Sequence, residues 1–296
     1  MDKKALRFKI VDAFYILMMI IPFVFAIVVN VLTKPASEGV SITGARIFFT
    51  IPMPIQDFPI TESQLNSAVV MVVLFFFCLF MTHGLTQRID LKRQHFAELI
   101  VEKVDGLVRD NMGEYFSSFA PFIISILALS ALSSLSSLFG LYPPTSDINI
   151  VGGWAVLVFI LITYYKMKCG PLFYLKEMTK PVALLTPINL ISEFATPVSM
   201  AFRHYGNVLS GTVISVLLAS ALGGLSKTLL GNLPGFLADI PLLQIGIPAV
   251  LSIYFDVFSG CLQAFIFAML TMMYVSGGFP IDEYQKRKAK KQIKQN

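Results

Sequence analysis

Charge is scarce in this sequence. Asp, Glu, Lys and Arg make up only 14% of its 296 residues, against roughly 25% in a soluble domain. Its three cysteines, Cys78, Cys169 and Cys261, are far apart and form no CxxC pair. They give no support to a disulfide or a structural zinc site, and they read as packing residues. The three histidines, His83, His95 and His204, lack the spacing of zinc ligands. No GxxxxGKS/T phosphate loop occurs, which excludes that kind of nucleotide site. The formal net charge is +5, yet the basic residues sit at the ends of apolar segments and in the tail. They form no face for nucleic acid, and membrane topology accounts for them better. A soluble globular enzyme, a disordered chain and a nucleic-acid binder are therefore excluded.

Long apolar runs are abundant. Hydrophobic residues reach 55%, and the mean hydropathy is +0.72. The expected fold is an all-α polytopic membrane protein with about six membrane helices. The first run, residues 13–32, follows Lys3, Lys4, Arg7 and Lys9. It resembles a signal peptide, but it is longer than a typical apolar core and ends in a poor cleavage site, so it reads as a retained anchor. Residues 33–64 contain prolines at 35, 52, 54 and 59 and read as an external loop. Further spans are expected near 66–85, 119–141 and 151–165. Residues 88–114 have balanced charge and helically spaced apolar positions (Phe96, Leu99, Ile100, Val104, Leu107), the pattern of an amphipathic cytoplasmic helix. Residues 166–180 hold four lysines and one glutamate. With the basic tail 286–291, they place both termini in the cytoplasm by the positive-inside rule.

The last two apolar stretches, 182–222 and 240–276, span 41 and 37 residues. At 1.5 Å per residue they would measure about 60 and 55 Å as helices, although about 20 residues suffice to cross a bilayer. Each is expected to be either two short spans or one long, steeply tilted helix. Gly223-Gly224 and the segment 231–235 separate them.

Within these stretches lie ionisable residues that a membrane disfavours: Glu193, Arg203 and Asp256. A charge at mid-helix costs from about 2.5–3.5 kcal/mol upward, which makes such residues functional candidates. A guanidinium stays protonated, so Arg203 can act as a fixed barrier or a carboxylate's partner but cannot relay a proton. Asn207, four residues on, shares its face. Glu193 lies ten residues away, about 80° short of three full turns, and is poorly placed to pair with Arg203. Ser252, Asp256, Ser259 and Gln263, spaced 4, 3 and 4, form a polar stripe on a helix. That stripe suits either an ion pathway or a polar contact between helices, and its company with Arg203 favours the pathway.

The string EFATPVSMAFRHYGNVLSG, from Glu193 to Gly211, resembles the signature of subunit a of the F-type ATP synthase, roughly E…PxSLxxRLxGNxxxG. Residues 262–267 (LQAFIF) resemble its second signature, and PTSDIN, ending at Asn149, its external turn with Asp147. Residues 49–52 and 60–62 are similar to the bacterial N-terminal region. The resemblance covers about residues 45–280, in order. It implies an anchor and external loop over residues 1–64 and an ion-channel domain over 65–296. It further implies a steeply tilted helix hairpin beside a ring of c subunits, with two aqueous half-channels. Arg203 would be the essential arginine that engages the ring carboxylate. Asp256, Gln263, Asn207, Glu193, Ser252, Ser259, His204 and Asp147 would serve the ion pathway. The implied partners are the c-ring, the peripheral-stalk b subunits, the rest of the synthase and membrane lipid, with no nucleic acid. The implied setting is the cell membrane, in a non-catalytic subunit without a bound cofactor. Three departures concern the channel lining. Thr212 stands where many relatives have an acidic residue or histidine. His204 replaces the usual leucine after the arginine. Ser134 stands about where an asparagine is common. The rival readings are a stand-alone ion-coupled secondary transporter, which predicts internal repeats and a substrate site in one chain, and a structural scaffold, to which a lone arginine would be a needless cost.

Overall fold

The computed structural model of the protein describes residues 3–33, 44–85 without 55, 92–179 without 169, 183–230, and 246–285 without 247, 249, 252, 282 and 283. Helix α1 (Lys3–Thr33) is followed by a two-stranded antiparallel hairpin, β1 (Ile47–Ile51) and β2 (Phe58–Thr61). Then come α2 (Glu62–Thr82), α3 (Lys92–Met112), α4 (Ala120–Leu135), α5 (Ile148–Met167), the short α6 (Pro171–Met178) and α7 (Thr186–Leu230). A π-helical stretch (Ile253–Ser259) leads into α8 (Gly260–Gly277). Among the described residues, six helices are long and apolar enough to cross a membrane: 6–33, 62–82, 114–139, 148–167, 186–229 and 253–277. They are the six expected, and α3 is the expected amphipathic helix.

Large apolar side chains face outward along these helices. Phe75, Ile160 and Phe202 are each about 60% exposed, an arrangement that suits lipid as the surrounding solvent. Cys78 and Cys261 also lie on this exterior, which corrects their reading as packing residues. The interior is a single main cluster. Val108 and Met112 of α3, Ile123 of α4, Val158 of α5, and Phe267 and Met272 of α8 meet in it with Phe116 and Phe279. At that end of the bundle, Lys168 Nζ lies 5.3–5.9 Å from the ring centroids of Tyr115, Tyr164, Tyr165, Phe279 and Tyr284. This cation–π cage fastens the end of α8 to the start of α4.

Two expectations need correction. The first long stretch is one helix of 45 residues, about 68 Å at 1.5 Å per residue, and a single long helix is one of the two forms expected. It runs, however, through Gly223-Gly224, which were expected to end it. Pro197 sits inside it and deprives the Glu193 carbonyl of its helical donor. Residues 47–61, expected as loop, pair as a hairpin. Thr61 then caps α2 with a capping box: its hydroxyl accepts from the Gln64 N–H, and the Gln64 side chain returns to Thr61 N. The segment 231–235, Ser252 and the tail 286–291 lie outside the described residues.

Helix α1 packs along α2 and is clamped at both ends. At one end, Asp12 bonds to His83 Nδ1 and Arg93 Nη1, both at 2.9 Å. Phe8 stacks on His83 at 4.6 Å, and the Arg93 guanidinium lies 4.8 Å from the Phe8 ring. At the other end, Asn30 donates to the Gly140 carbonyl at 2.6 Å and accepts from Arg46, which also pairs with buried Glu62 at 2.8 Å. Asp12→Ala would leave the half-buried Arg93 without its carboxylate, so a loss of about 2 kcal/mol in the stability of the detergent-solubilised protein is expected. Thermal unfolding beside wild type checks this, and an unchanged midpoint would show that the clamp contributes nothing.

Candidate functional site

Arg203 lies near the middle of α7, and its side chain is exposed. Its flanks, Phe202 and Val198, are exposed apolar residues. The ion pairs found among the described residues all lie elsewhere, and none of those residues bonds to the guanidinium. A permanent charge therefore stands on an apolar outer surface. Asn207, one turn on, is turned to the neighbouring helix and donates to Ser259 Oγ at 2.6 Å. Gly211 permits this approach: a Cβ there would come within 3.0–3.1 Å of the Phe255 side chain.

Asp256 and Ser259 belong to the π-helical stretch. The stripe expected at α-helical spacing is thus altered, because i→i+5 bonding widens the turn and shifts the phase of everything after it. Asp256 and Ser259 remain half-buried, Gln263 is buried on α8, and the Ser259–Asn207 bond ties the stripe to the Arg203 helix. Ser252 lies outside the described residues.

His204 is turned to the interior while its neighbour Arg203 is exposed, as the 100° step between successive helical residues allows. It is completely buried. Its Nε2 lies 3.2 Å from Ser130 Oγ of α4, and its ring meets Trp154 and Phe267 edge-on at 6.1 and 5.7 Å. Its Nδ1 has no partner among the described residues.

Glu193 is not near Arg203. Ten residues of helix separate them by about 15 Å, and the Glu193 carboxylate accepts from Lys166 Nζ of α5 and from the Tyr174 hydroxyl of α6. Burial, then the Glu193 carboxylate, push the Tyr174 phenol well above its ordinary value, which keeps it a protonated donor. Lys166, Tyr174, Asn189, Ser192 and Glu193 line an open cavity of about 440 Å³ together with Gly277 and Gly278. No motif announced Lys166 or Tyr174 as partners of Glu193.

Asp147 sits at the other end of the bundle from that cavity. It caps α5 by accepting from the Asn149 N–H at 2.9 Å, and it accepts a hydrogen bond from Ser63. The candidate residues thus fall into three places. A cavity at one end holds Glu193. The middle holds Arg203, Asn207, Ser259 and Gln263, with Asp256 on the adjoining π-helical stretch. Asp147 marks the far end, and His204 faces inward behind the arginine.

Comparison with known proteins agrees with the sequence resemblance. The family described as ATP synthase A chain matches residues 65–276. The sodium ion specific ATP synthase subunit a of Propionigenium modestum is 28% identical, covering 87% of this chain and 91% of that protein. ATP synthase subunit a of Priestia megaterium is 33% identical over 73% of this chain and 92% of its own length. That of Bacillus pumilus is 31% identical over 71% and 90%.

Proposed function

This chain belongs to the ATP synthase A chain family, the subunit a family of the F-type enzyme, and from that premise we propose that it provides the ion path that drives a rotating ring. Its membership places it in the membrane sector of the synthase. The observation that carries the reading is Arg203: a fixed positive charge exposed on an apolar helix face, with no ion pair in its own chain among the described residues.

The mechanism follows from the energetics of charge in lipid. An ion enters through a half-channel from the outer side and neutralises a carboxylate on the c-ring. A neutral carboxyl can face lipid, where the charged form costs several kcal/mol. Rotation brings it round to the second half-channel, the cavity beside Glu193, where the electrostatic pull of Arg203 favours the ionised form and releases the ion to the cytoplasm. The same guanidinium blocks direct leakage between the half-channels. Asn207, Ser259, Gln263 and Asp256 form the polar floor beneath it, and Asp147 stands at the outer mouth. The roughly 68 Å length of α7 suits a helix lying steeply tilted against the ring. Each elementary charge crossing 100 mV supplies about 2.3 kcal/mol, so several ions are needed per ATP.

The rival reading, a stand-alone transporter, would place a substrate site within one chain. Affinity purification through a tag on this chain separates the two. The ring-forming and peripheral-stalk polypeptides should co-purify, and the chain alone in liposomes should carry no gradient-driven flux. Recovery of a lone chain with transport activity would overturn the proposal.

A further inference from the structure

The hairpin before α2 carries an apolar face that stays largely exposed. Cross-strand partners share a face, and the register pairs Phe49 with Ile60, Thr50 with Pro59 and Ile51 with Phe58. Successive residues alternate, so Phe49, Ile51, Phe58 and Ile60 lie together on one face, and Thr50 and Pro59 on the other. A bulge between Ile47 and Phe49 sets this phase and leaves Ile47 on the side of Thr50. Phe49, Ile51 and Phe58 are 57%, 41% and 43% exposed. Three large apolar side chains grouped on so small a sheet mark a surface with a partner.

We infer that this face is inserted into lipid at the boundary of headgroups and acyl chains, at the Asp147 end of the bundle, and that the hairpin is an interfacial anchor. Depth is the first argument. Helix α2 has 21 residues, about 31 Å at 1.5 Å per residue, which matches the ~30 Å of a hydrocarbon core. Its first residue, Glu62, therefore stands at the boundary, and Ser63 beside it donates to Asp147. Thr61 is both the last residue of β2 and the cap of α2, and the Glu62 N–H donates to the Arg46 carbonyl at 2.8 Å. Both strands are thus tied to the start of α2 and held at its depth. Continuity is the second argument. Arg46 donates to Asn30 and Thr33 of α1, beside Val31 and Leu32, which are strongly exposed parts of the apolar exterior. The hairpin face prolongs that lipid-facing surface. The backbone is the third argument. A two-stranded sheet leaves one edge of each strand unpaired, and unpaired backbone groups do not enter hydrocarbon. The strands therefore stay at the hydrated headgroup level while Phe49, Ile51 and Phe58 reach below it, as the apolar face of an interfacial element does. Residues 44–61 contain no lysine, and their one arginine is engaged by Glu62. The attraction is thus apolar and requires no anionic headgroup.

The test uses the assembled complex in liposomes, with this chain's cysteines replaced and a nitroxide attached at Phe49→Cys or, on the opposite face, at Thr50→Cys. Spin relaxation by dissolved oxygen, which concentrates in lipid, is compared with relaxation by a water-soluble nickel chelate. Oxygen should dominate at position 49 and the chelate at position 50, so that the oxygen-to-nickel ratio reverses between neighbouring residues. The reversal should be the same in phosphatidylcholine alone and with phosphatidylglycerol added. A chelate that relaxes the label at 49 as strongly as at 50 would put this face in water. A label at 49 that neither reagent reaches would put it under another polypeptide. Either result overturns the anchor, and a reversal seen only with the anionic lipid overturns its apolar basis.

Discussion

Arg203→Ala should abolish ATP synthesis driven by an ion gradient in membrane vesicles, with the complex still assembled. The side chain is exposed and makes no hydrogen bond or ion pair with the described residues, so its removal leaves no internal partner stranded and should cost the fold little. What it removes is the one fixed charge on that face of α7. Opposite unit charges 4 Å apart attract by about 4 kcal/mol at an effective dielectric of 20. That is a factor of about a thousand in the preference for an ionised ring carboxylate at the arginine. On the proposed mechanism, the returning carboxyl would then have no reason to release its ion, and the two half-channels would no longer be separated. Arg203→Lys is the sharper variant. It keeps the charge but loses the planar fork and the fixed protonation, because an ammonium in an apolar setting can shed its proton. Synthesis should fail there too. Normal synthesis in the alanine variant would refute the role, and normal synthesis in the lysine variant would reduce that role to charge alone.

The membrane spans were legible because about twenty consecutive apolar residues need no tertiary information to be recognised. Arg203, Asn207, Glu193 and Gln263 were legible because the bilayer makes an isolated polar group conspicuous. Which way such groups point was not. A helix that is apolar on every side has no inner face written in its period, so Cys78 and Cys261 could be read as packing residues and yet face outward. Likewise, nothing at position 204 says that the imidazole turns inward to Ser130 while its neighbour turns out. The stripe from Ser252 to Gln263 was read at 3.6 residues per turn, and the π-helical stretch Ile253–Ser259 removes that assumption. The partners of Glu193 stand 27 and 19 residues away on other helices, a distance that local pattern cannot bridge. The role of Gly260 as a contact point was equally invisible, since its sequence neighbours give no hint of what lies opposite.

At Gly260, the first residue of α8, a Cβ would lie 2.7 Å from the Cβ of Ser134 on α4. That is closer than side-chain atoms approach. The obstructing atom is bonded directly to the backbone of a buried helix, so no rotation can move it aside. Gly260→Ala must therefore push α8 away from α4, and overpacking of this kind costs about 1–3 kcal/mol. The displacement acts at the proposed site. Ser259, one residue before, receives the Asn207 bond at 2.6 Å, and Ser134 holds Thr145 at 3.2 Å. The variant should thus lose both thermal stability in detergent and most ATP-driven ion pumping, more than an alanine substitution at the exposed Gly224 of α7, where a Cβ meets nothing. Ser134→Gly removes the obstructing atom, and in the double variant it should restore part of the stability, a non-additivity expected only of residues in direct contact. It should not restore pumping in full, because Ser134 also supplies a hydroxyl to Thr145. If Gly260→Ala matches wild type in both measurements, or if the two substitutions add without coupling, the close contact of α4 and α8 does not set the spacing of the site.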